Sequence, residues 1–197
     1  MGRAFFTADW HNGEDSAPNT HSFLRPRPTA VMVGEWLAHC NEVLRPDDRL
    51  FFLGDLVINL DDLEIYRRLP CNLFVVAGDK ETRNKNFTAQ EFEERFNLIF
   101  PSDRAIYTDC AQFITIGNTR WRMAHKPVDL LDSGMPALCG HVHGIWRTQC
   151  MPNGLPIINV GIDAWGGLVS EEMIMHQYNA IMQGHYDRNA RVDLWKI

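Results

Sequence analysis

Short apolar runs at residues 4–8, 50–53 and 73–77 are continuous enough to be strands buried on both faces. The segments at about 30–45 and 61–69 between them have helical periodicity. A further helix is predicted near 89–98. It opens on Thr88 with Glu91 three residues on, the spacing at which a hydroxyl and a carboxylate cap each other's backbone N–H groups. The order β-α-β-α-β-α calls for a parallel sheet, because strands joined through helices run the same way.

From about residue 105 the pattern changes. Residues 105–108, 112–116 and 119–124 are short alternating segments, the last two joined by Gly117-Asn118, a two-residue hairpin signal. Strands are expected to continue at 136–139, 145–151 and 156–160, with Pro152-Asn153-Gly154 as a turn and a closing helix over 170–183. From the pattern alone, the simplest architecture is α/β: one mixed sheet, parallel in one part and antiparallel in the other, flanked by helices. No repeat, low-complexity tract or Pro/Gly/Ser linker divides the chain, so a single domain over 1–197 is expected.

The polar residues concentrate where the apolar runs stop. These end in Asp9-Trp10-His11, Gly54-Asp55, Gly78-Asp79, Ala124-His125 and Gly140-His141-Val142-His143. The carboxyl ends of parallel strands converge on one crevice, so residues distant in sequence would meet there. Asp9 with His11, and His141 with His143, are two residues apart and project to the same side of an extended chain. Burying three carboxylates and four imidazoles together without a cation is costly. Seven donors exceed the four or so that one Zn²⁺ takes and suit two divalent ions sharing a bridging carboxylate. An oxygen and nitrogen set without thiolate favours Mn²⁺, Fe, Zn²⁺ or Co²⁺ over Ca²⁺, with geometry and availability deciding among them; two such ions are expected, with Mn²⁺ the leading candidate and Ni²⁺ a further one.

Composition narrows the partners. Apolar residues make up 45% of the chain and charged residues 22%, which excludes a disordered or fibrous protein. Nineteen basic against 25 acidic residues give a net charge of −6, a field that repels a phosphate backbone. Arg83-Asn84-Lys85 is the nearest approach to a basic run. Cys40, Cys71, Cys110, Cys139 and Cys150 form no C-x-x-C pair and are expected to be buried thiols in a reducing compartment. With no signal peptide and no apolar run near the length of a membrane span, the expected location is the cytoplasm and no membrane partner is expected.

Taken in order, Asp9-x-His11, Gly54-Asp55, Gly78-Asp79-Lys80-Glu81, His125 and Gly140-His141-x-His143 resemble the motifs of the calcineurin-like metallophosphoesterases, in particular their small single-domain bacterial and phage-type members. Residues 159–165 resemble the closing strand and loop of those members. The resemblance implies a four-layer α/β/β/α sandwich of mixed parallel and antiparallel sheets with helices on the outer faces. It places Asp9, His11 and His143 on a first metal ion, Asp79, His125 and His141 on a second, and Asp55 between the two. Asp55, Lys80 and His125 fall at catalytic positions. The implied reaction is hydrolysis of a small phosphomonoester or phosphodiester by attack of a metal-bridging hydroxide.

One motif departs from the family. Asp79 stands where the family has Asn and Lys80 where it has His, so an anion replaces a neutral ligand and an ammonium replaces an imidazole. Lys80 is therefore expected to clamp a phosphate or to act as a general acid. The polar segment 12–19 is a candidate lid, and His21, Arg25 and Arg27 after it are candidates for contacting substrate phosphate. Two alternatives stay open. One is a metal-binding or weakly active scaffold of the same fold, for which Lys80 is the ground. The other is a nuclease with the same metal chemistry, against which the acidic balance stands.

Overall fold

Successive residues of strand β2 (Arg49–Leu53) go to different cores: Leu50 and Phe52 pack under helices, while Phe51 and Leu53 face a second sheet. The computed structural model, which describes residues 2–14, 25 and 27–185, repeats this division in β1 (Ala4–Thr7) and β3 (Asn72–Val76). Strands covered on both faces need no polar side, which is why they show in the sequence as unbroken apolar runs.

The first sheet has the order β10-β1-β2-β3-β4. Strands β1 to β4 (Ala105–Thr108) are parallel, and β10 (Val169–Ser170) joins β1 antiparallel. The helical patterns supply its outer layer: α1 (Thr29–Val43), a 3₁₀ helix (Leu60–Arg68) and α2 (Ala89–Ile99) bury Val33, Leu37, Leu63, Tyr66, Phe92 and Phe96 against it. Helix α2 opens on the expected reciprocal cap, with Thr88 Oγ1 accepting from Glu91 N at 3.2 Å and Glu91 Oε2 accepting from Thr88 N at 2.7 Å.

The second sheet has the order β5-β6-β7-β9-β8. The hairpin β5 (Gln112–Ile116) and β6 (Thr119–Met123) turns at Gly117, and β7 (Ala137–Cys139) and β9 (Pro156–Asn159) continue parallel to β6. The two sheets stack over an apolar layer that includes Phe6, Phe51, Leu53, Trp121, Met123 and Ile158, into which Ile174 of α3 (Glu171–Met182) also packs. A short 3₁₀ helix (Pro127–Leu130) lies over the outer side of the second sheet, its Leu130 in a third apolar cluster with Ala137 and Ile157.

Two expectations change. The single mixed sheet suggested by the pattern alone becomes two stacked mixed sheets, as the family resemblance implied, because the chain leaves the first sheet at its edge strand β4 and starts a new one at β5. The strand expected over 145–151 shrinks to β8 (Thr148–Cys150). The preceding residues are held as a turn by Asn159, whose Nδ2 donates to the carbonyls of His143 at 2.6 Å and Trp146 at 2.8 Å. Of the cysteines, Cys40, Cys71 and Cys139 are buried as expected, but Cys110 is exposed and Cys150 only half-buried, since both lie at sheet margins. No helix among the described residues is long and apolar enough to cross a membrane.

Candidate metal centre

Every parallel strand whose end carries a candidate ligand delivers it to the same edge of the sandwich. The edge is laced by backbone bonds across strands: Asp9 N donates to Gly54 O at 3.0 Å, His11 N to Asp55 O at 2.9 Å, and Gly140 N to His125 O at 3.0 Å. Ala8 bridges to Gly161, which joins the first sheet to the second at this edge. The approach is too close for side chains. A Cβ on Gly54 (φ +84°) would lie 2.6 Å from both Gly78 Cα and His125 Nδ1, and one on Gly140 would lie 2.5 Å from the Ala8 side chain.

Among the described residues, the non-glycines with positive φ are Asp9 (63°), His11 (51°), Asp55 (58°), His141 (73°) and His143 (47°). Left-handed backbone is uncommon outside glycine, though Asp and His adopt it more readily than most residues, and it turns the chain sharply at each strand end. Between Asp9 and His11, Trp10 goes the other way into the helix-side core. It is fully buried against Trp36, Phe52 and Tyr66, and its Nε1 donates to Thr7 Oγ1 at 2.8 Å. The apolar residue thus anchors the two polar ones.

The candidate ligands form three overlapping groups: Asp9, His11 and His143; Asp79, His125 and His141; and Asp9, Asp55 and His125, with the donor atoms in each within 4.8 Å of one another. Imidazoles lie close in pairs, His11 with His143 at 5.0 Å and His125 with His141 at 5.1 Å between centroids. Asp55 lies between the pairs. Its Oδ1 accepts the backbone N–H of Lys80 at 2.8 Å, while its Oδ2 lies 3.4 Å from His11 Nε2 and 3.5 Å from His125 Nε2.

The outer nitrogens of three imidazoles are already engaged. Nδ1 of His125 lies 2.8 Å from Leu53 O, Nδ1 of His143 2.6 Å from Asp163 Oδ2, and Nδ1 of His11 2.8 Å from Glu14 Oε2. Carbonyls and carboxylates can only accept, so the proton sits on Nδ1 and Nε2 is the nitrogen left to bind an ion. Asp9 accepts the His141 N–H at 2.9 and 3.0 Å. Buried Glu81 accepts from Gly78 N, Leu56 N and Asp55 N at 2.7, 2.7 and 2.9 Å, which pins the two Gly-Asp turns together.

Electrostatics follow from this crowding. Burial opposes ionisation of Asp55, but the His125 and His11 imidazoles outweigh it and hold its carboxyl below the usual range. Burial and the neighbouring Asp55 push Glu81 up. Burial would lower His125, yet Asp55 and Asp9 raise it, while His141 is lowered by burial and by His125. Asp163 is held at about 2: against its burial act hydrogen bonds from His143 and Arg25. The donor set fits divalent ions: oxygen and nitrogen only, with three of the imidazoles oriented through Nδ1 and buried carboxylates that a cation would neutralise.

The remaining candidates fall elsewhere. Arg25, expected near substrate phosphate, is buried. It grips Asp163 through Nε at 2.9 Å and Nη2 at 2.8 Å, donates to Trp10 O at 3.0 Å, and also bonds Asp9 O. Its guanidinium therefore braces the first strand end against the closing loop. Arg27 is exposed and pairs with Glu35. Lys80 lies beside the centre with Nζ 3.3 Å from Glu14 Oε1. His21 and most of the candidate lid, residues 15–19, lie outside the described residues. Sequence reasoning missed Glu14, Glu81, Asp163 and Lys126. Glu81 was visible as the last residue of Gly78-Asp79-Lys80-Glu81, and Asp163 in the closing loop; Glu14 and Lys126 gave no signal beyond their nearness to His11 and His125.

Beside the second group opens a cleft of about 370 Å³ lined by Gly78, Asp79, Arg83, Arg122, His125 and Lys126, among others. No family model matches the chain, and no curated protein matches it. Solved structures do. A protein of unknown function from Aquifex aeolicus is 19% identical, with a TM-score of 0.64 over 90% of this chain and all of that one. A novel archaeal phosphodiesterase is 15% identical, with a TM-score of 0.51 over 81% of this chain and 83% of that one. At these identities the likeness is one of fold.

Proposed function

We propose that the chain is a metal-dependent phosphoesterase of the calcineurin-like metallophosphoesterase superfamily, acting on a small phosphomonoester or phosphodiester. The observation that carries this reading is the position of Asp55 Oδ2, nearly equidistant from His11 Nε2 and His125 Nε2, with the other oxygen tied to Lys80 N. A carboxylate fixed in this way is suited to bridge two ions, one held by Asp9, His11 and His143 and the other by Asp79, His125 and His141. Divalent ions there, Mn²⁺ first among them, would supply Lewis acidity, lowering the pKa of water and neutralising charge on phosphoryl oxygens.

The chain's own part is positioning and charge. Glu14, Leu53 O and Asp163 hold the imidazoles with Nε2 inward, which removes the cost of orienting them on binding. Lys80 lies at the rim, where an ammonium meets the phosphate of a substrate. The cleft volume lies at the lower end of the range for small-molecule sites, which suits a small leaving group. The fold shared with an archaeal phosphodiesterase agrees with this reading.

The test is chelated protein reconstituted with Mn²⁺ and assayed on aryl phosphates and phosphodiesters beside an Asp55→Asn control. Turnover lost in the control supports the reading. Two bound ions with no turnover above the control, across metals and pH, would establish the scaffold instead, and turnover confined to nucleic acid would establish the nuclease.

A further inference from the structure

The two carboxylate oxygens of Asp79 face different partners. Oδ2 lies 3.7 Å from His141 Nδ1, inside the second group of candidate ligands. Oδ1 lies 2.7 Å from Lys126 Nζ and 4.0 Å from Arg83 Nη1, on the cleft side. One oxygen is thus offered inward while the other holds an ammonium.

We propose that Lys126 is the counter-charge of Asp79, so that the two act as one nearly neutral oxygen ligand and Lys126 sets how tightly the second ion is held. The proposal rests on the two-ion reading above. Alone, Asp79 would add a third carboxylate to Asp9 and Asp55, deepening the negative field at the second ion and tightening its binding. An ammonium 2.7 Å from the outer oxygen cancels most of that added field a few ångströms further in.

Lys126 is placed for this by the chain itself. It directly follows His125, whose Nδ1 is fixed to Leu53 O, so the lysine backbone is set by a neighbouring candidate ligand. Its side chain is one quarter exposed and that of Asp79 30% exposed, so the pair is partly screened and its effect is moderate. Lys80 does not compete for the same role, because its ammonium is engaged by Glu14. Arg83 is a weaker contributor, with a longer contact and a side chain that is mostly exposed.

The experiment is calorimetric titration of the chelated full chain with Mn²⁺, for wild type, Lys126→Met, Asp79→Asn and the double variant. Lys126→Met should tighten the second ion by on the order of tenfold and leave the first nearly unchanged. Asp79→Asn should weaken the second ion, and the double variant should return to within about threefold of wild type, since the two changes cancel. Lys126→Arg, which keeps the charge, should titrate like wild type, and it keeps the test valid if the methionine variant folds poorly. Second-ion affinity that is unchanged or weaker in Lys126→Met would overturn the proposal while leaving two-ion binding intact. Failure of wild type to bind a second ion in excess Mn²⁺ would overturn both.

Discussion

Lys80 Nζ and Glu14 Oε1 lie 3.3 Å apart, and the other oxygen of the same glutamate lies 2.8 Å from His11 Nδ1. Glu14 therefore couples the lysine at the rim to an imidazole of the first group. Despite its burial, the His11 hydrogen bond and the nearby Lys80 charge hold its carboxyl at about 2, so it stays ionised across the working range of any phosphoesterase. An ammonium held in this way is suited to receive charge rather than to deliver a proton.

We predict that Lys80→His speeds hydrolysis of a poor alkyl leaving group more than that of a good aryl one. General acid catalysis contributes about 10²–10⁴-fold only where the leaving group needs a proton. Paired leaving-group series for the two proteins check this. Equal slowing of both classes would mark Lys80 as a phosphate clamp.

Asp163→Asn should weaken binding of the ion held with His143 by about 10–100-fold, the usual consequence of losing the carboxylate behind a ligating imidazole. The change also breaks the Arg25 pair, so thermal unfolding of chelated protein should be measured beside the Mn²⁺ titration. An affinity equal to wild type would mean that Asp163 only braces the closing loop.

The strands and the candidate ligands are legible in the sequence for local reasons. A strand buried on both faces is visible as an apolar run, and a helix start as Thr88 with Glu91. A candidate ligand is visible when an Asp or His follows such a run beside glycine, as at Gly54-Asp55 and Gly140-His141. What stacks on a strand is not local. Phe51 and Phe74 look the same whether their sheet is covered by helices or by another sheet, so the pattern alone suggested one sheet, and the second was expected only from the family resemblance. The residues behind the candidate ligands were hidden for the same reason. Asp163 meets His143 across 20 residues and Arg25 across 138, and an arginine near a candidate phosphate site carries no mark that it is bound elsewhere.

Acid stability should depend on Asp48, far from the centre. It accepts bonds from Arg3 N at 2.9 Å, Arg3 Nη2 at 2.6 Å and Arg45 N at 3.0 Å, tying β1 to the start of β2. Burial works against its ionisation, but these bonds hold the carboxyl below its ordinary value. A depressed carboxylate stabilises the fold above its unfolded pKa of about 3.9, and that contribution is lost as pH falls through the lower folded value. Asp48→Asn should therefore cost about 1–2 kcal/mol at pH 7, with the gap to wild type closing below about pH 4 in urea unfolding.

His141→Gly should stabilise chelated protein while abolishing second-ion binding. His141 is the most exposed of the four candidate imidazoles, and its φ of 73° is one that glycine adopts without penalty. A gain of about 1 kcal/mol is expected, read as a higher melting temperature in chelator and a lost response to Mn²⁺.

The left-handed turns at Asp9, His11, Asp55, His141 and His143 set backbone ease against side-chain bonding. At each position glycine would relieve of order 1 kcal/mol of backbone strain. That relief is opposed where the side chain holds a buried partner: Asp9 accepts the His141 N–H, Asp55 accepts the Lys80 N–H and His143 meets Asp163, and losing such a partner costs about 1–3 kcal/mol. Backbone strain and the bonds that offset it are thus set by the same side chains, so at these strand ends an exchange that frees the backbone also unties the turn.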